Sequence, residues 1–198
     1  MKRLALASVF LLAAPALVLA DTFERVEFIA PLSPSSEVPA VTDREVVGNG
    51  TIALHLRRND AGNIVSALAD FDVSFFTTQP ETFLAMHIHK NVAGANGGIV
   101  LSSTPANFPP NPLLDASAGA GRIFKQRSLA ITNVAELTAI GGIISDPGGH
   151  YLNLHTTSYR GGIFRGQLQR TVSSKVDTGF SSIDALVRRI AFLLGLRP

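Results

Sequence analysis

Along most of the chain, apolar and polar residues alternate with a period of two, the pattern of strands that bury one face. From Phe23 to Ala30, Val26, Phe28 and Ala30 alternate against Phe23, Arg25, Glu27 and Ile29. Pro31 and Pro34 are expected to end that strand, and Glu37-Val38-Pro39 after them suits an edge or connection, because proline cannot donate to a ladder. Over 48–58, Ile52, Leu54 and Leu56 share one face, with Thr51, Ala53, His55 and Arg57 on the other. Asn59-Asp60-Ala61-Gly62-Asn63 is the turn of a hairpin returning through 64–76.

Two further strands carry imidazole. In Ala85-Met86-His87-Ile88-His89-Lys90, Met86 and Ile88 share one face and the two histidines the other. In Tyr151-Leu152-Asn153-Leu154-His155-Thr156, the leucines oppose Tyr151, Asn153 and His155. Gly94, Gly97 and Gly98 lie between the first of these and the short strand 99–101. No Gly-Lys-Ser/Thr follows them and no helix begins there, so they mark a turn rather than a phosphate cradle. The segment 102–121 reads as a long loop, and Ile123-Phe124 as a short strand.

Asn133 with Glu136 three residues on has capping-box spacing, predicting a short helix over 134–140 ended by Gly141-Gly142. A last strand runs over 163–169. Beyond a linker at 171–179, Ile183, Leu186, Val187, Ile190, Leu193 and Leu194 form an amphipathic stripe, predicting a C-terminal helix over 180–198. Such a helix serves self-association, docking on its own domain or contact with a membrane surface. The sum is an all-β domain: an antiparallel β-sandwich or barrel of Greek-key-like, superoxide-dismutase-like or Ig-like kind, with one short helix and the C-terminal helix.

Composition changes this picture in three ways. Lys2 and Arg3, the apolar run to Leu17 and the small residues ending at Ala20 form a signal peptide over 1–20. A secreted or periplasmic location is therefore expected for the domain at 21–170, with no transmembrane span after leader removal. The leader holds two of the 17 basic residues and none of the 15 acidic ones, leaving equal numbers. Nothing in that balance calls for a nucleic-acid partner. Cysteine is absent, which excludes a disulfide framework, thiolate nucleophiles and Cys-based zinc sites.

Glu37-Val38-Pro39, His87-Ile88-His89 with Asn96-Gly97, the strand 151–156 and Arg165-Gly166-Gln167-Leu168 together resemble the CHRD domain family, named after chordin and common in exported bacterial proteins. The resemblance spans about 24–170. It implies an extracytoplasmic all-β module with no established catalytic activity, hence a non-catalytic binding or interaction module for a protein or small-molecule ligand. The chain departs from the family's pattern at Ile163, where an acid is expected, and in a longer connection over 142–149.

The residues themselves add a second candidate chemistry. A His-x-His strand projects two imidazoles from one face about 6.5–7 Å apart at Cα, and a third from a neighbouring strand completes a set suited to copper or zinc. The candidate ligands are His87, His89 and His155. His-x-His on a sandwich strand is also found at the copper site of copper/zinc superoxide dismutases, so a copper-dependent redox role is the extreme form of this reading. The alternative has the same imidazoles hydrogen-bonding to Asn153, Tyr151, Arg165 or the long loops. His150 is expected on the opposite face from His155, and His55 on a solvated sheet. Asp70 and Asp72 share a face without a cleft, no Gly-x-Ser-x-Gly elbow occurs, and no catalytic set is assigned.

Overall fold

The computed structural model of the chain describes residues 21–104 and 112–171. The leader, nearly all of the linker and the expected C-terminal helix lie outside the described residues. In chain order the strands are β1 (Thr22–Leu32), β2 (Val46–Arg58), β3 (Ile64–Thr77), β4 (Glu81–Lys90) and β5 (Gly98–Ser102). Then come β6 (Leu114–Ala116), β7 (Gly119–Ile131), helix α1 (Val134–Ser145), β8 (His150–Thr156), β9 (Phe164–Gln167) and β10 (Gln169–Arg170).

These strands make two antiparallel sheets, a sandwich and not a closed barrel. The first has the order β10-β1-β2-β3-β7 and the second β5-β4-β8-β9, with β6 against the start of β4. One corner is tied by an isolated bridge between Ser33 and Arg165. The inward faces are those the alternation predicts. Phe28, Ile52, Leu54 and Phe71 from the first sheet meet Phe83, Met86, Ile88, Leu152, Leu154 and Phe164 from the second, all fully buried. Each such side chain contributes about 1.5–3 kcal/mol by leaving water. Gly48 and Gly50 of β2 let the sheets approach, since a Cβ there would stand 2.6 Å from the Phe164 ring and 2.3 Å from Leu152 Cδ2.

Three expectations are corrected. β1 runs through Pro31 to Leu32. Proline is tolerated there because β10 reaches only Phe28 and Ile29, leaving Pro31 paired on one side alone. The segment read as a loop and a short strand holds β6 and the 13-residue β7. As a sheet edge, β7 buries Ile123 and Ile131 but exposes Phe124, so its apolar alternation is weak.

Helix α1 begins where its cap predicts, with Asn133 Oδ1 accepting from the Glu136 N–H at 2.8 Å. It runs past Gly141-Gly142 to Ser145, because Ile140 and Ile143 are both buried in the core. Packing outweighs the glycine penalty of about 1 kcal/mol. Among the described residues no helix is long and apolar enough to cross a membrane.

Candidate metal centre

Period-two alternation sends His87 and His89 of β4 to the side opposite the core. The register then sets their neighbours: His87 faces Asn153, His89 faces Tyr151, and Ala85 faces His155. On the far side of β8, Asn153 faces Arg165. One face of the second sheet thus carries three imidazoles, a phenol, an amide and a guanidinium in adjoining rows.

This face is not the open patch that outward alternation suggests. His89 and His155 are 8% and 9% exposed, and Tyr151, Asn153 and Arg165 only 2%. The connections 91–97 and 157–163 fold back over the strands that they join and supply backbone to the buried rings. His89 Nδ1 meets the Gly97 carbonyl at 2.9 Å, and His155 Nδ1 meets the Arg160 carbonyl at 2.9 Å. A carbonyl can only accept, so both rings carry the proton on Nδ1 and turn a bare Nε2 away from it.

Those two Nε2 atoms are buried and have no hydrogen-bond partner, and neither has the buried Nδ1 of His87. The ring centroids are 4.9 Å apart for His87 and His155, 5.6 Å for His89 and His155, and 5.8 Å for His87 and His89. One nitrogen from each lies within 4.8 Å of the other two. Atoms so spaced share a centre no more than about 2.8 Å from each, against the roughly 2.0–2.1 Å of a zinc–imidazole bond. Closing the triangle takes about 0.7 Å per ring, a small adjustment of χ angles.

The rings are held neutral. Burial pushes His87 down to about 4, helped by the nearby His155 and His89. His89 is lowered first by burial, against the opposing pull of the Gly97 carbonyl, with the Arg165 charge lowering it further. His155 is lowered by burial and by His89, against the Arg160 carbonyl. Neutral imidazole is the form that binds a metal.

Behind His89 stands a stack that sequence reading named only as hydrogen-bond partners. Tyr151 lies parallel to the His89 ring, 5.0 Å away at 8°, and the Arg165 guanidinium stands over the Tyr151 ring at 4.5 Å from its centroid. Tyr151 Oη accepts the Gly97 N–H at 3.0 Å, so Gly97 braces both rings of the stack. Arg165 donates to Ser36 O at 2.6 Å and Asn96 Oδ1 at 2.9 Å, and Asn96 donates to Val38 O at 2.8 Å. Glu37 lies 3.7 Å from Arg165 Nε, with its carboxyl raised to about 7 by burial against the opposing guanidinium charge.

The carboxylate facing Arg165 therefore comes from Glu37. Ile163, where the family pattern led to expecting an acid, is fully buried in the core. What sequence reading missed were the backbone carbonyls of Gly97 and Arg160. The signals were there in the glycines beside them, Gly97 itself and Gly162 at φ +131°.

The remaining histidines stay apart from the cluster. His150 turns Nδ1 to the Asp146 carbonyl at 2.8 Å, and His55 meets Asp70 on the first sheet at 3.1 Å. Among the described residues, the group of potential metal ligands comprises His87, His89 and His155 without a carboxylate. A family model described as the CHRD domain matches residues 28–168. No curated protein and no solved structure matches the chain.

Proposed function

The chain belongs to the CHRD domain family, and from that premise we propose an exported, non-catalytic binding module whose ligand is one copper or zinc ion held by His87, His89 and His155. The observation that carries this reading is the set of three buried, unpartnered ring nitrogens on facing strands. A buried acceptor without a partner costs about 1–3 kcal/mol, and three together are an expensive arrangement for a surface that only has to be soluble. A metal ion satisfies all three at once. The hydrogen bonds from His89 and His155 to backbone carbonyls are the outer contacts that orient metal-binding imidazoles. Export rests on the basic and apolar leader at 1–20.

The test is metal retention by the full chain prepared without a histidine tag. After loading with Cu(II) or Zn(II) and exhaustive dialysis, about one equivalent is expected to remain. His87→Ala, His89→Ala and His155→Ala are each expected to lower it severely, while His55→Ala leaves it unchanged. The reading fails if no metal is retained on loading with Cu(II), Zn(II) or, anaerobically, Cu(I), or if the triple alanine variant retains as much as the parent.

A further inference from the structure

Resting on the metal reading above, we infer that this site selects copper in its monovalent state over divalent copper and zinc. The protein supplies three neutral donors and sets a buried cation, not an anion, behind them.

The argument is one of charge and coordination number. Carboxylate or thiolate ligands offset the charge of a divalent ion, and here neither is present in the cluster. Three neutral imidazoles leave the ion's full charge in a covered site, and the cost of burying a charge rises with its square. A monovalent ion thus meets a fraction of the penalty met by a divalent one. Cu(I), with a filled d shell, is also satisfied by three donors, whereas zinc at a protein site completes a tetrahedron with a fourth ligand.

The stack sharpens the preference. Arg165 is almost wholly buried and its Nη2 has no partner, so its charge is not spread into water. Adding the two stacking distances, its guanidinium carbon lies no more than about 9.5 Å from the His89 centroid. At about 10 Å and an effective permittivity near 20, one unit charge changes a binding constant roughly tenfold. It therefore weighs on a divalent ion more than on a monovalent one by about that factor. Glu37 offsets it only in part, because burial raises that carboxyl to about 7 and leaves a share of it protonated at neutral pH.

This preference runs against the ordinary order, in which Cu(II) outcompetes other divalent ions at nitrogen sites, so it is open to a sharp test. The full chain is titrated anaerobically with Cu(I) against a chromophoric Cu(I) chelator, and with Cu(II) and Zn(II) against chelators of known affinity. The reduction potential of the bound copper is read by redox titration. Cu(I) is expected to bind at least 100-fold more tightly than Zn(II), and the potential to lie above that of aqueous copper.

In Arg165→Met the preference for Cu(I) over Cu(II) is expected to fall roughly tenfold, a drop of about 59 mV for one electron. Arg165→Lys, which keeps the charge, is expected to retain most of it. Zn(II) or Cu(II) binding as tightly as Cu(I) in the parent overturns the inference and leaves the metal reading standing. A folded Arg165→Met with unchanged preference overturns the role of the stack. Should the variants fail to fold, the measurements on the parent still decide the selectivity. Failure to bind any of the three ions overturns both readings.

Discussion

On the outer face of the first sheet, His55 turns Nε2 to the Asp70 carboxylate at 3.1 Å, with a third of its side chain exposed. Around it the face is ionic: Arg122 grips Asp72 at 2.7 and 2.5 Å, and Gln126 donates to Asp70 at 3.0 Å. On the outer face of the second sheet, three histidines crowd together with no carboxylate among them, and two of them are less than a tenth exposed. Both faces arise from the same alternation. They differ in their connections. The turn between β2 and β3 closes on itself through Asn59, which bonds to Ala61, Gly62 and Asn63. The connections after β4 and β8 fold back, and their carbonyls accept hydrogen bonds from the ring N–H groups of His89 and His155. An outward position is thus solvated on one sheet and desolvated on the other.

The most direct way to break this contrast is to dislodge the covering loop. A Cβ on Gly97 would lie 2.0 Å from the Lys90 carbonyl oxygen, whereas one on Gly98 meets nothing within 4 Å. Gly97→Ala must therefore shift the backbone that braces His89 and Tyr151. Its metal affinity is expected to fall roughly 10- to 100-fold, with a clear loss of thermal stability. Gly98→Ala should match the parent in both, and equal behaviour of the two variants in metal titrations would show that the loop does not organise the site.

Acid sharpens the contrast next. The native pKa values of His87, His89 and His155 lie below the ordinary 6.5, so the unfolded chain binds protons first as pH falls. Their contribution to stability is whole above about 6.5 and is lost progressively towards pH 4. Metal-free protein is expected to show a falling unfolding midpoint across that window, and bound metal to hold the midpoint up. A flat profile from pH 6.5 to 4 in calorimetry would contradict the desolvation assigned to this face.

The smallest effects come from two carboxyls with opposite signs. Glu37, raised to about 7, stabilises as the neutral acid, and that contribution is lost as pH rises through 7. Glu37→Gln is therefore expected to gain on the parent between pH 5 and 9, by at least ~2 °C in midpoint. Asp72 is held low chiefly by its hydrogen bonds from Arg122, so Asp72→Asn should cost stability at neutral pH and cost less as pH falls below 4. Arg122 is largely exposed, and the loss is expected to stay under ~1 kcal/mol and to fade in salt. Midpoints measured across pH for both variants check the signs, and a shared sign would remove the distinction between the two faces.

Much of this architecture was legible along the chain. Residues 48–76 show a hairpin because the first strand alternates clearly, the turn residues are distinctive, and the returning strand, which alternates less cleanly, carries the sheet-favouring Val73 and Phe75. The Asn133 cap marks the start of α1 for the same local reason. The end of α1 was not legible, since Gly141 and Gly142 are weak breakers when Ile143 has a core to enter. β7 was hidden because an edge strand needs few apolar residues. At the site, the three histidines were legible as outward residues. Their desolvation was not, because it depends on carbonyls that carry no side-chain signal.

Period-two alternation is a property of each strand alone, so the sequence by itself determined which side chains leave the core: His87, His89, Tyr151, Asn153 and His155. What becomes of them was decided by contacts that no local period encodes. Asn96 reaches Val38, 58 residues away, Tyr159 reaches Asp43 across 116, and Arg165 reaches Ser36 across 129. These join covering segments and strands that are distant along the chain. Only once they close does an outward imidazole lose its water, its positive charge and its hydrogen-bond partner, leaving a lone pair directed at its neighbours.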